Sequence, residues 1–181
     1  MSLLGVIREH DADGPLRSML CLGNWDLLEP DTAGAPNDVD FMSLCSSWIE
    51  SPDASVYDET LYLLRKCRAW MTQFRHLPSH VPTDLASDPD WIYNRSWSGP
   101  FIWLSLAPEL FVQRLHQRQP QALLLFAHFG ILIHDVGRYW WMQSWGKRII
   151  RAVDEVLGDY WNNYMEFPKR YLELSRPFED S

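Results

Sequence analysis

The chain has 181 residues, 46% hydrophobic and 22% charged, with 16 Lys+Arg against 24 Asp+Glu and a formal net charge of −8. That length suits one domain over 1–181 with a single core, and the acidic balance argues against direct nucleic-acid binding, which draws its affinity from a Lys/Arg surplus. The unusual count is aromatic: Trp 10, Tyr 7 and Phe 8. In chain order, residues 2–10 and 15–28 read as short helices broken at Gly14-Pro15, and Glu29–Asn37, with Pro30, Gly34 and Pro36, reads as a loop. Asp38 or Asp40 is placed to cap a helix running to about Ile49, after which Ser51-Pro52-Asp53 signals a new start. The long helix that follows carries the stripe Val56, Thr60, Leu63, Leu64, Cys67, Trp70, Met71 and Phe74, with Arg65, Lys66 and Arg68 off it. It is expected to stop before Pro78. Between Leu77 and Pro108, five prolines alternate with Trp91, Trp97 and Trp103, a pattern for short or irregular elements docking by their rings. Pro108 opens a helix through Gln117. Pro120 opens the longest predicted helix, Gln121 to about Trp145, and an amphipathic stretch Lys147–Tyr164 follows and stops at Pro168. No strand alternation is present, so the expected fold is all-α: a compact multi-helix domain with a long C-terminal helical hairpin and a hydrophobic pocket.

Cys21, Cys45 and Cys67 lack C-x-x-C spacing and indicate neither a disulfide framework nor a thiolate zinc site. Charges at Arg8, Glu9, Asp11 and Asp13 interrupt the N-terminus where a secretion signal needs an apolar run. The longest apolar stretch, Ala122–Ile133, falls short of the ~20 residues of a membrane span. An intracellular, cytoplasmic protein without a membrane span is expected. The nine glycines form no phosphate-cradling motif and no G-x-S-x-G is present, so neither a nucleotide cofactor nor a serine nucleophile is expected. His134-Asp135 lacks the further His and Asp ligands that metal-dependent phosphohydrolase chemistry needs, and His76 and His80 bracket Pro78, so no metal and no cofactor are expected.

The run Glu109-Leu110-Phe111, Gln119-Pro120-Gln121-Ala122-Leu123-Leu124-Leu125-Phe126-Ala127-His128-Phe129-Gly130, His134, Arg138-Tyr139-Trp140-Trp141, Trp145-Gly146, Trp161 and Phe167-Pro168 resembles the C-terminal ligand-binding region of fungal sterol uptake control proteins. These are zinc-cluster transcription factors. The resemblance is strongest over 108–168, and Leu3–Leu20 is similar to a more N-terminal part of the same region. It implies an all-α homodimer that takes a sterol-like molecule into a hydrophobic pocket near its C-terminal helices. The family's cysteine-rich basic DNA-binding module is missing from this sequence, which suggests a freestanding ligand-binding unit.

On the expected 121–145 helix, His134, Arg138, Trp141 and Trp145 fall at i, i+4, i+7 and i+11 and share one face, placing two donors beside two rings. An apolar pocket with sparse donors is how proteins commonly hold a hydrophobic ligand by a carbonyl or hydroxyl. The competing reading makes the two tryptophans core and pairs Arg138 with Asp135 or His134. His128, in the most apolar part of the helix, is either a satisfied core histidine or part of the pocket wall. Trp91, Trp97, Phe101 and Trp103 are candidate wall residues, with Tyr93 and Arg95 as donors.

Two functions fit this set. One is a cofactor-independent cyclase or isomerase, of the Diels-Alderase type, that folds a terpenoid- or polyketide-like substrate while His134, Arg138 and Tyr93 polarise it. The other is the sterol- or lipid-sensing domain of a fungal regulator, which would be nuclear.

Overall fold

The computed structural model describes residues 25–31, 38–74 and 95–174. The described residues form seven α-helices and no strand: α1 (Asp38–Met42), α2 (Ala54–Thr72), α3 (Ser98–Leu106), α4 (Glu109–His116), α5 (Pro120–Asp135), α6 (Trp145–Leu157) and α7 (Asn162–Leu174). The chain is all-α, as its periodicity predicts. The short helix expected at 2–10 and residues 15–24 of the one expected at 15–28 lie outside the described residues, as do Trp91 and Tyr93; the described end of the second is a 3-10 turn over Trp25–Leu27.

α5 is the axis of the domain. Pro120 occupies its first turn, where a missing N–H costs nothing, and eleven of its sixteen residues are buried. A helix apolar all round must be enclosed, and α5 packs against α2, α3, α4, α6 and α7. Trp103 from α3 stacks on Phe129 of α5 at 4.5 Å and meets Phe111 of α4 edge-on at 5.4 Å. Its indole N–H donates to the Thr60 carbonyl of α2. One ring therefore ties four helices together.

The α2 stripe is buried as expected at Thr60, Leu64, Cys67, Trp70, Met71 and Phe74. Arg65 and Arg68, expected on the solvent side, are buried as well. Arg65 tolerates this because its guanidinium reaches Asp38 through Nε (2.7 Å) and Nη2 (2.6 Å) and Asp31 through Nη2 (2.6 Å). Arg68 lies 4.6 Å over the Phe41 ring, a cation held on an aromatic face. The Asp38 carboxylate serves that pair, and the helix it opens ends at Met42, passing into a 3-10 turn over Ser43–Ser47 instead of continuing to Ile49.

The largest correction concerns the 121–145 helix. α5 ends at Asp135, and residues 136–144 form a string of tight turns closed by bonds from Gly137 N–H to the His134 carbonyl (2.9 Å) and from Met142 N–H to the Tyr139 carbonyl (2.8 Å). Ser144, at φ +67°, reverses the chain into α6. The two helices then cross with almost no separation: a β-carbon on Gly146 would lie 2.5 Å from the Gly130 carbonyl oxygen and 2.6 Å from the His134 nitrogen. Side chains at either position would hold the backbones apart. The amphipathic stretch expected over Lys147–Tyr164 is likewise broken, at Gly158 with φ +69°, a conformation that favours glycine. Pro168, expected to stop a helix, sits buried inside α7 and costs that helix one backbone hydrogen bond.

Candidate functional site

The break at Asp135 removes the common helix face of His134, Arg138, Trp141 and Trp145 and sends these side chains to separate places. His134 stays on the last turn of α5, half-buried, with the Tyr171 ring of α7 edge-on at 6.2 Å. Its neighbour Asp135 accepts a 2.6 Å hydrogen bond from the Tyr171 hydroxyl. Trp145, 56% exposed at the start of α6, has no ring partner among the described residues.

Trp141 meets the Phe101 ring of α3 instead, and Arg138 reaches Ser96 just before that helix. Trp97 and Phe101 are four residues apart at the start of α3, with ring centroids 6.3 Å apart. Phe101 lies 6.0 Å from Trp141, and Trp141 lies 5.8 Å from Tyr139. The Arg138 guanidinium sits 5.3 Å over the Tyr139 ring and donates from Nη2 to Ser96 Oγ at 2.9 Å. The result is a continuous row of four rings ending on a cation. The row is built by two local events: the first turns of α3 project Trp97 and Phe101 together, and the 136–144 turns bring Tyr139 and Trp141 back against them. Burial of Met142 between those turns holds the register. Phe101 and Trp141 keep 42% and 39% of their surface in the open, so the row is a half-exposed apolar face with one charged donor.

Trp103 and His128 lie inward of this row, in packed core. The His128 ring is enclosed by Phe41 at 5.4 Å and Phe167 at 6.0 Å. Its Nδ1–H donates to the Leu124 carbonyl one helical turn back (2.9 Å), while Nε2 is buried without a hydrogen-bond partner among the described residues. Burial lowers its pKa to about 4, the Leu124 bond opposes that shift, and the Arg68 charge adds to it. The imidazole is thus neutral at physiological pH, and its bare nitrogen has no route for proton exchange through a partner.

A second feature is absent from the sequence reading. A cleft of about 730 Å3 opens between the 43–53 segment and the α4–α5 junction. Its walls are polar: Ser46, Ser51, Asp53, Tyr57, Arg114 and Gln121 among them. Asp53, read from sequence as a helix start, makes no side-chain cap and instead takes a two-pronged pair from Arg114, through Nε at 2.6 Å and Nη2 at 3.1 Å. Only the acid and the base sixty-one positions apart could have signalled it, and nothing local marks either as a partner. Among the described residues no group of three or more His, Cys, Asp or Glu is placed to hold a metal ion. No helix among them is long and apolar enough to cross a membrane. In comparisons with known proteins, no family model, no curated protein and no solved structure matches this chain.

Proposed function

We propose that the protein binds a largely hydrophobic small molecule of terpenoid, polyketide or sterol type on the Trp97–Phe101–Trp141–Tyr139 row, with Arg138 anchoring a carbonyl or hydroxyl of the ligand. The observation that carries this reading is the row itself, four rings in unbroken contact, half open, ending on a guanidinium. Ring faces supply apolar area at low entropic cost, and one placed donor fixes orientation. The likeness to sterol uptake control proteins points to the same ligand class and to a homodimer. Titration with a fluorescent sterol, dehydroergosterol, and with farnesol tests the reading. Binding should weaken about tenfold in Trp141→Ala and in Arg138→Ala, about the effect of losing one charged hydrogen bond. Unchanged affinity in both variants would refute it.

A cyclase or isomerase role is favoured by one observation. Of the five N–H donors of Arg138, one goes to Ser96, which leaves others to polarise a substrate carbonyl as charge develops on it. His134 faces Tyr171 rather than this row, so the chemistry would rest on Arg138 and on shaping the substrate. Incubation with linear polyenes bearing a carbonyl, followed by mass spectrometry and chromatography for isomeric products, separates the two roles. Binding without rate enhancement leaves a sensor or carrier.

A further inference from the structure

The stretch from 136 to 153 departs from the charge of the rest of the molecule. In a chain of net charge −8 it carries Arg138, Lys147, Arg148 and Arg151 and no Asp or Glu. The same stretch holds three tryptophans in six positions, Trp140, Trp141 and Trp145. Trp140 is 86% exposed, the highest value among the large hydrophobic side chains of the described residues, and neither it nor Trp145 packs on another ring there. Lys147, Arg148 and Arg151 are exposed on α6, whose opposite side buries Gly146, Ile150 and Val153. The inner side of α6 is thus committed to the core, and the first two turns of its outer side present cations directly after an exposed indole, with Glu155 exposed one turn beyond Arg151.

We propose that this face docks the protein on an anionic lipid bilayer, with Trp140 and Trp145 entering the interfacial region and Lys147, Arg148 and Arg151 over the headgroups. Three features select this occupant. Indole rings prefer the membrane–water interface, where the ring is desolvated while its N–H stays hydrated. Clustered Lys and Arg next to such rings gain from the negative surface potential of anionic lipids, and that gain falls off with salt. An acidic peptide would seat in a groove, and the cleft described above lies elsewhere, at Ser46, Asp53 and Arg114. Docking uses Trp140 and Trp145, which lie outside the four-ring row, so it stands apart from the ligand reading.

The test is co-sedimentation of the full chain with vesicles of phosphatidylcholine alone or with about 30% phosphatidylserine. The native chain should partition at least about tenfold more strongly onto the anionic vesicles, and the difference should collapse in high salt. Arg148→Glu/Arg151→Glu should remove the preference. Trp140→Ser/Trp145→Ser should weaken binding about tenfold while sterol binding by the same variant stays native. All four residues are exposed, and an unchanged far-UV CD spectrum confirms the fold of each variant. Equal partitioning onto both vesicle types, or insensitivity to both double substitutions, would overturn the proposal. So would a homodimer that falls apart in Trp140→Ser/Trp145→Ser, which assigns the face to a second copy, or saturable capture of a poly-Glu peptide with no vesicle binding.

Discussion

Replacing Gly146 with alanine tests the helix crossing that creates the turn segment and with it the aromatic row. A β-carbon at 146 would sit 2.5 Å from a backbone carbonyl oxygen and 2.6 Å from a backbone nitrogen of α5. Neither atom can rotate away, so α5 and α6 must separate by about 1 Å, and a gap of that size forfeits a quarter to a half of the dispersion energy across the contact. Overpacking of this kind costs about 3 kcal/mol, the upper part of its usual range, whereas alanine gains only about 1 kcal/mol over glycine in a helix. The net loss is about 2 kcal/mol. For a domain of this size that lowers the thermal midpoint by about 4–8 °C, measurable by far-UV CD. Gly130→Ala is the internal control. Its new methyl would meet Ile150 Cγ1 at 2.8 Å, Ile149 Cγ2 at 3.2 Å and the Gly146 carbonyl oxygen at 3.3 Å; the two nearest are side-chain atoms and the backbone contact is 0.8 Å longer than that at 146, so its penalty should be smaller. A Gly146→Ala variant as stable as the native chain, or a Gly130→Ala variant that is the worse of the two, would refute the account of the crossing.

Three further outcomes follow from the core. His128 is held neutral, with a pKa of about 4 in the fold against 6.5 unfolded, so its share of stability is full above pH 6.5 and drains away as pH falls towards 4. The loss amounts to about 3 kcal/mol at most, and urea midpoints at pH 7 and 4.5 should converge in His128→Leu; an unaltered acid slope would exclude His128 as the source. Trp103→Ala should cost about 3–5 kcal/mol, because it empties the space between Phe129 and Phe111, and Trp103→Phe should cost less; chemical denaturation ranks the two. Cys67 is fully buried, and desolvation raises its thiol pKa far above the ordinary range, while Cys45 is only half-buried with a milder rise. Iodoacetamide mapped by peptide mass spectrometry should leave Cys67 unlabelled in the native protein, and equal labelling of both would contradict that burial.

What the sequence reveals follows from how local each signal is. Pro108 and Pro120 mark real helix starts because a proline at the first turn acts through its own φ and missing N–H. The α2 stripe is legible because burial of Leu64, Cys67 and Met71 repeats with the helical period. The end of α5 is not legible. His134, Arg138, Trp141 and Trp145 continue an acceptable periodicity, and their spacing gives no sign of the turns at 136–144 or of the close passage of Gly146 over Gly130 that follows them, a contact between residues sixteen positions apart. Arg65 and Arg68 look solvent-facing because the groups that permit their burial, Asp38 and Asp31 for the one and the Phe41 ring for the other, lie about thirty positions away. Trp97, Phe101, Arg138 and Trp141, all site candidates by their residue types and positions, lie in one cluster. Helical spacing groups Arg138 with His134, whereas the turn pairs Arg138 with Ser96 and Tyr139.

The Arg65 guanidinium has a consequence for chain architecture. It grips Asp31 and Asp38 with one nitrogen, each at 2.6 Å, so one side chain of α2 holds two separate stretches of chain, 25–31 and α1, at a single point. The burial of one charge thereby fixes the placement of both stretches at once, and whatever moves that guanidinium moves the two together.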